Sequence, residues 1–253
     1  MAEEKRGVMC FTVGSINYSL ETESSDRDEL HFVLPSSLRH VMLGNICKTT
    51  QTIDEEAKID RLEVDVRNMM QWIKKPNMSN SSFLWAKEVR CTKEFQSFYD
   101  ELDASVPFIL YENRKNLLYS TLGMLTKSMD CIQKEKDAKA LVNFYLYALH
   151  TQFVCQFGER IDTEELKAYF QGNHPLKRDG RLHETLRQFK RNHTEQAFNE
   201  LLRKVFELQR TLQNELNTME YEKHDRLDEW MNHLENLLAQ AIWQWTKKIQ
   251  HIS

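Results

Sequence analysis

From Arg181 to Ser253 the chain has neither glycine nor proline, a run of 73 residues. Tight turns draw on glycine for positive φ and on proline for a fixed φ. A stretch lacking both folds as one helix, or as helices joined by polar turns. As a single helix it would approach ~110 Å at about 1.5 Å per residue. Phe198, Leu201, Val205, Leu208 and Leu212 are spaced 3, 4, 3, 4, the seam positions of a heptad. Leu216 and Met219 continue in a shifted register. Leu227, Trp230, Leu234, Leu237 and Ala241 resume the pattern beyond the polar His224-Asp225-Arg226. Asn192 and Asp225 are N-cap residue types. The favoured reading breaks the run near 220–226 and pairs the two stripes as an antiparallel hairpin.

The whole chain holds 7 Gly and 4 Pro in 253 residues, where average usage gives about 18 and about 13. Turn-dense sandwiches and barrels need more punctuation than that. The first fifty residues nevertheless carry β signals. Val8–Val13 is apolar and β-branched, Ile16–Leu20 alternates after a Gly14-Ser15 turn, and Leu30–Leu34 runs to Pro35. Ser36–Cys47 reads as a short helix, and Glu21–Glu29 as an acidic, serine-rich loop. From Thr52 the period turns helical, through Ile59, Leu62, Val66, Met69 and Ile73, with Thr52 and Glu55 as a capping box. Pro76 stops that helix, and further helices are expected over 83–102, from Ser105 onward, and over 138–157. Asp162 caps a short one.

The predicted fold is mainly α: a helical bundle with long C-terminal coiled-coil-like helices and a small N-terminal antiparallel β element. Its parts are residues 1–50 (β-containing element), 51–172 (helical bundle) and 173–253 (long helix or hairpin).

Catalytic motifs are scarce. His183-Glu184 begins like HExxH, but Arg187 stands where the second histidine is needed, and His224-Asp225 is only a two-residue match to metal-binding HD pairs. Cys10, Cys47, Cys91, Cys131 and Cys155 form no CxxC pair and read as reduced thiols, mostly buried. No cofactor or metal is expected. The acidic loop with Ser19, Ser24 and Ser25 reads as solvated, phosphorylation being its functional alternative.

Charge is local. The net is −4, yet 174–193 sets six cations (Lys177, Arg178, Arg181, Arg187, Lys190, Arg191) against Asp179 and Glu184. Residues 194–253 hold seven cations and ten acids. The sequence therefore predicts a non-enzymatic interaction or scaffold protein that assembles with itself or with a partner subunit. Leu201, Val205, Leu208, Leu212, Trp230, Leu234 and Leu237 would form the seam, with Trp243 and Trp245 as anchors. The alternative is a nucleic-acid-binding helical protein using the phosphate-attracting cations of 177–191. The charged N-terminus precedes no apolar run and no segment reads as membrane-spanning, so an intracellular protein, cytoplasmic or nuclear, is expected.

Overall fold

The computed structural model describes residues 5–23, 25–158, 160–172, 181–219 and 225–250, with Arg181 and Asp225 as backbone only. The described residues are 66% helical, with ten helices and a five-stranded sheet among them. Strands β1 (Lys5–Val13), β2 (Arg27–Pro35), β3 (Thr50–Asp54), β4 (Ile59–Asp65) and β5 (Val89–Cys91) lie in the order β3-β4-β2-β1-β5. β1 pairs antiparallel with β2 and β5, and β3 with β4, but β2 and β4 are parallel. The sheet is thus mixed, not antiparallel. A parallel neighbour requires a crossover, and the segment holding α1 (Leu38–Met42) supplies it.

The helical period expected from Thr52 fails over 50–65. Thr52 and Ile53 lie in β3, Ile59 and Leu62 in β4, and only Val66, Met69 and Ile73 belong to a helix, α2 (Val66–Lys74). Its cap is not Thr52 but Asp65, whose carboxylate accepts from the Arg67 N–H. The helix expected over 83–102 is likewise split. A 3-10 turn (Ser82–Trp85) and β5 precede the turn Lys93–Phe95 and α3 (Gln96–Ala104). Three of the five strands therefore come from residue 50 onward. Gly14-Ser15 does not open a hairpin either; Gly14–Tyr18 is a 3-10 turn.

The inner face of the sheet carries Phe11, Leu30, Phe32 and Leu34, all buried. Phe11 meets Phe32 and Phe83 edge to face, at 5.7 and 5.5 Å between ring centroids, a favoured geometry for aromatic pairs. The helical layer begins with α4 (Val106–Glu112), α5 (Arg114–Glu135) and α6 (Ala138–Phe157). Buried Thr121 and Thr151 join α5 to α6 by a hydroxyl pair at 2.8 Å. α7 (Thr163–Phe170) is capped as expected, Asp162 accepting from the Glu165 N–H.

Three helices occupy the glycine-free run: α8 (Arg181–Arg191), α9 (Glu195–Thr218) and α10 (Asp225–Gln250). α9 ends at Thr218 and α10 begins at Asp225, and the expected break near 220–226 lies mostly outside the described residues. The pairing departs from the expected hairpin. α9 packs on α5 and α6, whereas α10 packs on α3, the Lys93–Phe95 turn and α1. Ion pairs fix each helix to its own neighbour, Lys136 with Glu195 at 2.8 Å and Lys248 with Glu94 at 2.8 Å. The stripes find mates within the fold but not chiefly in each other, so no coiled coil is needed to cover them. None of the described helices is long and apolar enough to cross a membrane.

Candidate functional site: a two-sign cleft at the end of the sheet

The site begins with a register. In the parallel β2–β4 ladder Asp28 pairs with Asp60, and Leu30 with Leu62. Side chains alternate along a strand and neighbouring strands lie about 4.8 Å apart. Asp28 and Asp60 are therefore direct neighbours on the face that further along holds Leu30 and Phe32. Asp26, just before β2, lines the same cleft. Like charges side by side on a sheet are destabilising.

Gly14 makes room for one of the carboxylates. Its φ is +73°, and a β-carbon there would lie 1.9 Å from Asp28 Oδ2. Only glycine meets both demands. The turn it opens is pinned by buried Asn17, which donates to the Ser82 carbonyl at 3.1 Å and accepts from the Lys87 N–H at 3.3 Å. Buried Tyr18 stacks on His150 of α6, at 5.3 Å.

The cleft has a volume of about 540 Å³, within the common range for small-molecule sites. Gly14, Ser15, Asp26 and Asp28 line its sheet side, Lys139, Asn143 and Tyr147 of α6 and Lys190 and Arg191 of α8 its helical side. A second hollow of about 280 Å³ shares Gly14, Tyr18, Asp28 and Tyr147 and reaches Asp60 and Gln51. The Gln51 amide donates to both oxygens of Asp60, at 2.9 and 2.8 Å, and so orients that carboxylate.

Charge is segregated by sign. Burial holds the Asp28 carboxyl above its ordinary pKa; Asp60 and Asp26 push the same way, while Lys139 and Lys190 pull it down. Burial and the neighbouring Lys139 together hold Lys190 below its ordinary value, against Asp28 and Glu21. Burial is the first cause of both shifts, and each half of the cleft also faces opposite charge from the other. Carboxylates and water suit hard divalent cations, and lysine and arginine suit phosphate oxygens. The cleft brings both kinds of group together.

The basic segment contributes in part. Lys177 and Arg178 lie outside the described residues, as does the side chain of Arg181. Arg187 pairs with Glu184 at 3.1 Å and donates to the Ser19 carbonyl at 2.6 Å. Lys190 reaches the Leu20 carbonyl at 3.4 Å. These two dock α8 on the turn beside the cleft; Lys190 and Arg191 also line it.

The proposed seam is placed differently. Leu201, Val205, Leu212, Leu234 and Trp245 are buried by the chain's own elements; Leu208, Trp230 and Leu237 are half-buried against the same core. Trp230 packs on Phe108 at 6.0 Å. Of the nine, Trp243 is the exposed one, 54% accessible, with the Lys247 ammonium 5.0 Å above its ring.

Of the other motif fragments, His183 is buried beside Gly172, and His224 lies outside the described residues. The thiols are less buried than expected. Cys47 is buried, Cys131 exposed, and Cys10, Cys91 and Cys155 intermediate. Burial pushes the Cys91 and Cys155 thiols up to about 12.

The residues that composition and motif scanning missed are Asp26, Asp28 and Asp60. For Asp26 and Asp28 the signal was local: Gly-Ser closing one strand, then Asp-x-Asp at the start of the next apolar strand. Reading Glu21–Glu29 as a solvated loop hid it. Compared with protein-family models, with curated proteins and with solved structures, the chain matches none.

Proposed function

We propose that the chain is a divalent-cation-dependent nucleotidyltransferase, binding a nucleoside triphosphate in the cleft between β2, α6 and α8. The observation that carries this reading is the in-register pair Asp28 and Asp60, joined by Asp26 and faced by Lys139, Lys190 and Arg191. Asp26, Asp28 and Asp60 would hold a divalent ion, which would supply charge stabilisation at the phosphoryl oxygens. The chain's own part is to hold those carboxylates, with Gln51 orienting Asp60. On the helical side Lys139, Lys190 and Arg191 take the charge of the outer phosphates, placing them away from the carboxylates. In the proposed transfer an acceptor hydroxyl, or water, would bond to the α-phosphorus as the bond to the β-phosphate oxygen breaks and pyrophosphate leaves. Ser15, Asn143 and Tyr147 line the space between and offer hydrogen bonds to a sugar or base.

The test is incubation with each of the four common ribonucleoside triphosphates and Mg²⁺, scored for binding by calorimetry and for release of pyrophosphate and of phosphate. Mg²⁺-dependent binding with pyrophosphate release, lost in Asp28→Asn and Asp60→Asn, is expected. No binding of any of the four, or binding unchanged in both variants, would overturn the reading. Phosphate as the sole product would replace nucleotidyl by phosphoryl transfer.

A second reading, partner assembly, rests on exposed Trp243 and on Met42, Leu43 and Ile46, which are 63, 64 and 54% accessible where α1 packs against α10. Exposed aromatic and aliphatic side chains are favoured interface anchors. Light scattering of the wild type and of Trp243→Ala tests it: a mass above the monomer that falls in the variant supports the interface. A monomer in both sinks self-assembly.

A further inference from the structure

On the opposite face of the sheet, the cross-strand row Arg90, Cys10, His31 is set by register. Cys10 of β1 pairs with His31 of β2 on one side and with Arg90 of β5 on the other. Cys10 Sγ lies 3.2 Å from His31 Nε2 and 3.2 Å from the Arg90 guanidinium. A guanidinium can only donate, so toward Arg90 the sulfur is an acceptor. Glu29 holds both partners in place. Its carboxylate is 2.8 Å from His31 Nε2 and 3.0 Å from Arg90, and Arg27 and Arg61 lie at 3.2 and 3.7 Å. The thiol lines an open hollow of about 290 Å³ with Gly7, Met9, His31, Arg90 and Thr92.

Burial alone would raise the Cys10 thiol. The His31 hydrogen bond and charge, with the Arg90 hydrogen bond, outweigh it and hold the group below its ordinary range. Cys131, the exposed thiol, is shifted the other way by Glu135. The Cys10, Glu29 and His31 donor atoms lie within 4.8 Å of one another, as a chelate would require. Three guanidinium groups around Glu29, however, oppose a dication there and favour an anionic reactant.

We propose that Cys10 is a nucleophilic cysteine that exchanges with low-mass anionic disulfides, guided by Arg90 and His31. Cys10 Sγ attacks one sulfur of the disulfide, and its lone pair forms the new S–S bond. The old S–S bond breaks with its electron pair on the departing thiolate, which takes a proton from solvent. Cys10 is oxidised, the departing half is reduced, and no other oxidant enters. Attack needs thiolate character and access; the His31 and Arg90 hydrogen bonds favour the first and the hollow gives the second.

The probe is the dianionic disulfide 5,5′-dithiobis(2-nitrobenzoate), added substoichiometrically to the full chain at neutral pH, with peptide mass mapping of the first adduct. The uncharged 4,4′-dithiodipyridine serves for comparison. Cys10 should be modified first, at least ~10-fold faster than Cys131. Arg90→Gln and His31→Gln should each slow it several-fold, and Arg90→Gln should also erase the preference for the anionic reagent. Circular dichroism confirms that each variant is folded. Modification of Cys131 ahead of Cys10 in the wild type would overturn the proposal without any variant, as would folded Arg90→Gln and His31→Gln proteins reacting at the wild-type rate.

Discussion

Asp28 is a residue whose contribution to stability and whose proposed contribution to function have opposite signs. Its carboxylate is crowded by Asp60 and Asp26 and pressed over Gly14. Replacing it with Asn removes one of three neighbouring charges and keeps the shape. Asp28→Asn should raise stability by about 0.5 kcal/mol, the scale of a like-charge cross-strand pair, while abolishing Mg²⁺-dependent nucleotide binding. Urea denaturation and calorimetry on the same preparation check both halves. Asp65 makes the contrasting case. It is fully buried, accepts from the Cys47 N–H at 2.8 Å, and pairs with Arg67 at 2.7 Å. Burial works to raise its pKa, but the Arg67 and Cys47 hydrogen bonds more than offset this and hold it below the ordinary value. A depressed carboxyl pKa contributes stability that is complete above the unfolded value, about 3.9, and is lost as pH falls through the lower folded value. Asp65→Asn should therefore cost about 2 kcal/mol at neutral pH, and the gap between wild type and variant should close only in strong acid. A gap constant from pH 7 to pH 2 would contradict this.

At the scale of elements, the long helices were legible because their signal is local. Leu118, Leu122, Leu125, Met129 and Ile132 recur at helical spacing and are buried along α5. Asp162 caps α7 by the side-chain chemistry that its sequence context announces. The β3–β4 hairpin was not legible. Ile59, Leu62 and Val66 fit a helical stripe, while Leu62, Val64 and Val66 fit an alternating strand equally well. What decides between them is β2, 32 residues upstream in register and invisible to any local window. The site was lost with the hairpin, since Asp60 joins Asp28 only through that pairing. The seam failed for a different reason. Its periodicity correctly marked a buried stripe, but periodicity does not say which element does the burying. For α9 it is α5 and α6. Leu212→Ala should thus behave as a core truncation, costing about 2–5 kcal/mol with no change in mass by light scattering. A dissociated assembly at unchanged monomer stability would restore the intermolecular seam.

Across the whole molecule, the cleft is where the sheet meets the helical layer, with β2 on one side and α6 and α8 on the other. A ligand spanning it ties together elements that the chain supplies from residues 14 to 191. Ligand binding only the native state adds RT ln(1 + [L]/Kd), about 2.7 kcal/mol at 100-fold excess over Kd. For a chain of this size that is roughly 5–10 °C in Tm. Mg²⁺ with nucleoside triphosphate should produce that rise, and neither component alone should produce half of it. A scanning-calorimetry curve that does not move would remove the bridging ligand from this cleft.

β2 divides its side chains between two chemistries, Asp28 toward the cleft and Glu29 and His31 toward the thiol on the far side of the sheet. The consequence concerns which mutations the strand survives. A substitution in β2 disturbs one face and leaves the other intact, so the two sites are free to diverge separately. Loss or gain of a single residue within the strand turns every later side chain to the opposite face. It would carry His31 and Glu29 inward among phenylalanines and present Phe32 to water. The strand is therefore tolerant in spelling and intolerant in length.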